Sequence, residues 1–224
     1  MRNELGPSGL RSGPLIALAL VACSLAAADR HHSRAQVAQP GAFDYYLLSL
    51  SWSPEYCFSH RSSTQCASDK HFGFVVHGLW PESNTGANPE NCSNAPGLSD
   101  PSKMLDIMPD TGLIQHEWTT HGTCTGLSAE NYFGLVRQVF SSVHIPPQLS
   151  KPASTTLMSA QQIKQSFEQA NSGLPDGAIG MVCRNGYLNE LEICFSKDSD
   201  PKPMACPNPP SACPVRTIKI PPVR

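Results

Sequence analysis

The sequence predicts an α+β fold, a mainly antiparallel β-sheet with α-helices packed against it and disulfides bracing the whole. Three observations carry that expectation. Residues 178–195 make a hairpin pattern around Asn185-Gly186, the dipeptide that supplies the positive φ angles of a two-residue type I′ turn. Two more runs, residues 43–51 and 71–77, have the composition and length of strands. Two helices are signalled by serine caps: Ser128 opens one through about Val143, and Ser159 opens another through about Asn171.

From the N-terminus, Arg2 and Arg11 precede an apolar run from Leu15 to Ala27, and Ala26-Ala27-Ala28 leads into Asp29-Arg30. This is the layout of a secretory signal peptide over residues 1–28, too short and too weakly flanked to span a membrane. A competing reading takes Leu20-Val21-Ala22-Cys23 as a lipoprotein box, with Cys23 the lipidated residue. Residues 29–41 are small and polar and are expected to be a disordered leader, which leaves 42–224 as one domain with a substantial core. No internal repeat is present. Cleavage after Ala28 leaves 14 basic and 17 acidic side chains and a net charge of −3. Such a chain is not a polybasic nucleic-acid binder, so any polyanion must be held by a few local contacts. It is expected to be a monomer.

Eight cysteines follow the expected cut, at positions 57, 66, 92, 124, 183, 194, 206 and 213. An even count behind a signal peptide reads as four disulfides in an oxidising, secreted or periplasmic setting. Cys57 and Cys66 lie nine apart in a Ser-rich stretch, where a local bridge closes the shortest loop. In the hairpin, Cys183 falls opposite Leu188, and Cys194 lies six residues further along, about 20 Å away. These two cannot pair. Each must reach the Pro-rich tail, and nesting (Cys183 with Cys213, Cys194 with Cys206) closes the smaller inner loop.

The first strand is stopped by Pro54, and the second delivers His77 into a turn at Gly78-Leu79-Trp80-Pro81-Glu82. Residues 83–99 are rich in Asn, Pro and Gly and read as a surface loop carrying Cys92, with Asn91-Cys92-Ser93 fitting a glycosylation sequon. Asp100-Pro101 opens a short helix ending near Pro109. On the later helices, Tyr132, Phe133, Val136 and Phe140, then Ile163 and Phe167, form the apolar faces, and Gly173 ends the second. The tail from Pro201 is too Pro-rich for helix and is expected to lie along the sheet as an edge strand.

Residues 116–124 hold the densest chemistry: His116-Glu117-Trp118-Thr119-Thr120-His121-Gly122-Thr123-Cys124. If the stretch is helical, Glu117 and His121 share a face, and His116 and Thr120 form the adjacent stripe. A zinc hydrolase needs its two histidines at i and i+4, and these lie five apart, so no metal site is expected. The plainer alternative makes both histidines surface or capping groups, with Gly122 ending the helix.

Phe74-Val75-Val76-His77-Gly78-Leu79-Trp80-Pro81 and the 116–124 stretch together resemble the two signature segments of the ribonuclease T2 family. The resemblance extends over most of residues 43–215. It implies a metal-independent endoribonuclease without cofactor, cleaving single-stranded RNA by transphosphorylation to 2′,3′-cyclic phosphate ends with low base specificity. DNA is not an expected substrate. By resemblance His121 is the base, His77 the acid, and Glu117 orients an imidazole or contacts the phosphate; His116 holds the phosphate.

One position departs from the family. Thr120 stands where relatives usually place a lysine, so the phosphate pair here is His116 and Thr120. That substitution also raises an alternative, an inactive relative that binds RNA or protein through the same cleft. For the base, Trp80 offers a stacking surface and Glu82 an acceptor, although Trp80 fits a core role beside the catalytic turn equally well. Trp52 and Trp118 are expected in the core, and His60, His71 and His144 on the surface.

Overall fold

The computed structural model describes residues 39–67, 69–208 and 211–223. The expected signal peptide over 1–28, the lipidation site at Cys23 and nearly all of the expected leader lie outside the described residues. Among the described residues, no helix is long and apolar enough to cross a membrane.

Strand β1 (Tyr45–Trp52) is flanked on one side by β2 (Phe74–Glu82) and on the other by β5 (Tyr187–Ser196), both antiparallel to it. The far side of β5 pairs with β4 (Ile179–Arg184), and at its start with β6 (Ile218–Ile220), which in turn carries β3 (Thr156–Met158). The β4–β5 turn has Asn185 at φ 52° and Gly186 at φ 80°, the type I′ geometry that Asn-Gly favours.

Alternation along β1 explains how the sheet is used. Tyr46, Leu48, Leu50 and Trp52 face the core, where they meet Val76, Leu79, Leu191, Ile193 and Phe195. Ser49 points to the opposite face and is buried there for another reason, given below. Helix α3 (Ala129–Ser141) covers the core with Tyr132, Phe133, Val136 and Val139, and α5 (Ala160–Ala170) adds Ile163 and Phe167. Each such large apolar side chain stabilises the fold by roughly 1.5–3 kcal/mol when buried. Both helices start at the expected serines. Ser128 accepts from Asn131 N–H, and Ser159 forms a full capping box with Gln162.

Several sequence expectations need correction. The Ser-rich stretch is not an open loop: Pro54 sits in the first turn of α1 (Ser53–Ser59), followed by a 3-10 turn at Thr64–Cys66. Proline is compatible with a helix start because its missing N–H has no partner there anyway. The helix after Asp100 is only a 3-10 turn over Pro101–Met104. The tail strand β6 is not an edge, because β3 pairs outside it. Its Ile218 and Ile220 are fully buried, and Pro221 accepts a hydrogen bond from the buried Trp52 indole at 3.1 Å, so a proline-rich segment reaches the core through two isoleucines. The short helix α4 (Pro147–Ser150) precedes β3.

Four disulfides tie these parts together: Cys57–Cys66, Cys92–Cys124, Cys183–Cys213 and Cys194–Cys206. The last two fasten the tail to the hairpin in a nested arrangement. Cys183 pairs in register with Leu188 across the hairpin.

Candidate active site

Helix α2 (Thr111–Thr120) starts at Asp110, whose carboxylate accepts from Leu113 N–H at 2.8 Å, a cap that sequence reading passed over. The helix ends one residue before His121, which is its C-cap. His121 N–H still donates to Glu117 carbonyl oxygen at 3.0 Å, so the two side chains keep their shared face. Gly122 permits the close turn that follows, because a Cβ there would overlap Trp118 and Tyr132. The end of α2 is held against the 83–99 loop by three contacts. Asn91 N–H donates to Thr120 carbonyl oxygen (2.8 Å), Trp118 Nε1 donates to Ala95 carbonyl oxygen (2.8 Å), and Cys92–Cys124 closes the junction.

His77 reaches the site by a device the sequence did not announce. The expected turn at 78–82 is absent; β2 runs straight through Gly78 and Pro81 to Glu82. Ser49 pairs with Gly78 and Leu50 with Val76, so His77 is the extra residue of a β-bulge. A bulge re-aims its unpaired side chain without ending the strand. Here it places His77 beside Ser49 and Glu190 and opposite Glu117.

The two imidazoles are separated by one indole. Trp80 lies edge-to-face with His77 (ring centroids 5.2 Å) and tilted against His121 (5.3 Å), and its Nε1 donates to Glu117 Oε2 at 2.7 Å. Trp80 is thus only half-buried and acts as a spacer within the site. Gly78 makes this packing possible, since a Cβ on it would overlap both Glu117 Oε2 and Trp80 Nε1. Gly78→Ala is therefore expected to cost about 1–3 kcal/mol of stability and to lower activity out of proportion, measured by thermal melting and turnover on one preparation. Unchanged turnover would show that the indole–carboxylate contact is dispensable.

His77 stands between two carboxylates. Its Nδ1 lies 3.1 Å from Glu190 Oε1, and its Nε2 lies 3.7 Å from Glu117 Oε1. Glu190 Oε2 accepts from Ser49 Oγ at 2.8 Å, which is why Ser49 is buried on the polar side of β1. Burial disfavours an imidazolium at His77, but the hydrogen bond and charge of Glu190, with the charge of Glu117, outweigh it and raise the pKa. Glu190 is correspondingly lowered: burial opposes its charge, yet His77, Ser49 and Arg184 more than compensate. Glu117 differs. Desolvation, against smaller opposing effects of His77 and Trp80, pushes it up to about 7. Its Oε1 is buried without a hydrogen-bond partner. His121 is pushed the other way, down to about 4, first by burial and then by the charges of His116 and His77.

Of the residues singled out from sequence, the structure gathers His77, Glu117 and His121 around Trp80. His116 lines a cleft with His77, and its Nδ1 is 3.5 Å from Thr120 Oγ1, so those two share a stripe. Glu82 is at the far end of β2 with Asn88 and Glu192 for neighbours, where burial raises it to about 7. Sequence reading missed Glu190 and Ser49. The available signal was the pair of carboxylates Glu190 and Glu192, two apart and so on one face of a central strand whose alternate positions Leu191 and Ile193 are apolar. Among the described residues no group of three or more His, Cys, Asp or Glu side chains is placed to hold a metal ion.

Comparison with known proteins identifies the family and the shared fold. The family model described as Ribonuclease T2 family matches residues 43–206. A ribonuclease of Aeromonas hydrophila is 33% identical over 168 residues, covering 71% of this chain and 75% of that protein. A probable ribonuclease of Haemophilus influenzae is 34% identical over 175 residues, covering 69% of this chain and 58% of that one. Among solved structures, RNase NT in complex with 5′-AMP superposes with a TM-score of 0.62 at 22% identity, over 80% of this chain and 98% of its own. Ribonuclease MC1 from bitter gourd seeds gives 0.60 at 24%, over 79% and 99%. At these identities the two superpositions establish the shared fold.

Proposed function

The chain belongs to the ribonuclease T2 family, and from that premise we propose that it is an endoribonuclease cleaving single-stranded RNA by transphosphorylation to 2′,3′-cyclic phosphate ends, with low base specificity. The observation that carries this reading is the opposite protonation bias of two imidazoles held on either side of Trp80. Above a pH of about 4, His121 is neutral and free to accept a proton. His77 holds its proton to higher pH than an ordinary imidazole, because the hydrogen bond and charge of Glu190, helped by Glu117 when ionised, outweigh its burial.

The chemistry then assigns itself in pairs. His121 takes the proton from the 2′-hydroxyl, the 2′-oxygen attacks phosphorus, and the bond to the 5′-oxygen breaks as His77 delivers a proton to it. The product is a cyclic phosphate and a free 5′-hydroxyl, and exchanged roles allow later hydrolysis by water. Glu117, held near neutrality by burial, carries a proton at mildly acidic pH. In that state its unpartnered Oε1 side donates to a phosphorane oxygen. His116 and Thr120 are assigned to the phosphate. The need for a 2′-hydroxyl excludes DNA as substrate. Trp80 and Glu82 are assigned to the base, Trp80 through whatever face its histidine neighbours leave. Few base contacts support broad tolerance. Four disulfides support secretion or a periplasmic location, and a monomer suffices because every assigned residue comes from one chain.

Digesting RNA with the purified protein in EDTA at mildly acidic pH tests the reading directly. Cyclic-phosphate ends are expected, and a substrate with 2′-deoxy sugars throughout should remain whole. No cleavage of RNA would leave the binding-module alternative.

Glu190 is a positioning residue in this scheme. Glu190→Gln removes the charge that helps hold the imidazolium at His77, so His77 should lose its proton at lower pH than in the wild type. The alkaline limb of the pH–rate profile is therefore expected to move toward acid. A fall in kcat/KM of roughly 10- to 100-fold at neutral pH corresponds to the ~1.5–3 kcal/mol of a hydrogen bond to a charged group. If the limb stays in place while the rate falls, Glu190 serves the fold and not His77.

A further inference from the structure

On the side of α1 facing away from His77 lies a groove of about 670 Å³, walled by Phe58, Phe72, Tyr187, Arg61 and Lys70 and floored by the Cys57–Cys66 bridge and the Pro221-Pro222 tail. Phe58 is 53% exposed, an unusual cost for a residue the fold does not need outside. Its ring meets Tyr187 edge-to-face at 5.5 Å, and Lys219 Nζ lies 5.3 Å over the Tyr187 ring. Among the described residues no carboxylate lines the groove. Lys70 has Asp69 3.8 Å away, but Arg61 and Lys219 have no ion-pair partner among the described residues. In a chain with a net charge of −2, an exposed Phe58 ring beside the half-buried Tyr187, with Arg61 in the groove wall and Lys219 next to it, is complementary to a strand that carries both phosphates and bases.

We infer that this groove is an accessory binding site for single-stranded RNA, taking nucleotides on the 3′ side of the cleaved bond beyond the two that flank it. The inference rests on the ribonuclease reading above, and it adds a place for the strand to go. Adjacency supports it. The cleft that contains His77 and His116 and this groove adjoin across the buried Gln65, whose Nε2 donates to Ser53 Oγ at 2.5 Å. Helix α1 forms the shared wall, with Tyr56 and His60 on the catalytic side and Phe58 and Arg61 on the other. Direction follows from chemistry. His77 protonates the leaving 5′-oxygen, so the nucleotides nearest to it are those of the 3′ fragment. Bases stacked on Phe58 and Tyr187, with phosphates near Arg61 and Lys219, are read by π-faces and charge and leave base tolerance broad.

The test uses oligonucleotides with a single 2′-hydroxyl, which fixes the scissile bond, and extends them by six nucleotides on the 3′ side or on the 5′ side of a dinucleotide. The full-length wild-type protein should show a kcat/KM gain on 3′ extension, mostly through KM, and less gain on 5′ extension. Phe58→Ala with Tyr187→Ala should erase roughly 5- to 150-fold of that gain, the range of one stacked base, while dinucleotide turnover is unchanged. Arg61→Gln with Lys219→Gln should flatten the salt dependence of binding by about 0.7 in log–log slope for each phosphate lost. Binding is followed separately by fluorescence anisotropy of the same oligonucleotides. A 3′ gain that persists in both double variants, or no gain in the wild type, overturns the inference. Failure of the wild type to cleave any substrate, with Phe58-dependent binding retained, overturns the nuclease reading alone. Loss of dinucleotide turnover in the aromatic variant means that the groove serves the fold, and the inference falls.

Discussion

His121→Ala is expected to lower kcat by roughly 10²–10⁴-fold, the usual worth of one positioned acid–base group, with little change in stability. His77→Ala should lose a similar amount on RNA. The two losses can be told apart by the leaving group. A 3′-nucleotide ester of p-nitrophenol has a leaving oxygen that needs no protonation, so His77→Ala should recover most of its rate on that ester. His121→Ala should not, because the 2′-hydroxyl still has to lose its proton. Recovery by both variants or by neither would reverse or remove the assignment of base to His121 and acid to His77. The wild-type profile has the matching signs. Activity rises as His121 loses its proton near a pH of about 4, and it falls as His77 loses its own above the ordinary histidine value.

Thr120→Lys should raise the rate, by up to about 10²–10³-fold if the threonine is a simple deficiency, since that is the typical worth of one donor to a transition-state oxyanion. Thr120 is half-exposed at the end of α2, with only a 3.5 Å contact to His116 Nδ1, so a longer side chain has room to extend along the His116 stripe. The substitution also has a pH signature. A cation beside His121 lowers its pKa further, so the acid limb should move to lower pH. The same cation favours the charged form of Glu117, which now sits near 7, and so weakens its use as a proton donor to the phosphorane. A rate that stays level or drops would indicate that Glu117 already supplies what the family's lysine gives, and that two donors there compete.

Much of this protein was legible from local pattern. Asn185-Gly186 specified its turn because only residues tolerant of positive φ close a two-residue hairpin, and the turn then set the cysteine register that directs Cys183 and Cys194 into the tail. Ser128 and Ser159 specified helix starts because each satisfies backbone N–H groups within three residues. His77, Glu117 and His121 could be nominated from residue type, spacing and resemblance.

Other features depended on partners far along the chain. Which way His77 points was decided by a bulge against β1, whose existence follows from register with Ser49 and Leu50, about 28 residues away, and not from the Gly78-to-Glu82 sequence that resembles a turn. The protonation of the two histidines was likewise a tertiary matter. Burial drives His121 down, while Glu190, 113 positions from His77, holds that imidazole charged. Tail strand β6 was hidden among prolines because only Ile218 and Ile220, and a partner strand at 156–158, show it to be internal. The sequence by itself determined which acid–base groups are available to the site, since their identity is covalent. Only the tertiary structure decided their charge and aim, since both depend on desolvation and on neighbours that the fold brings within a few ångströms.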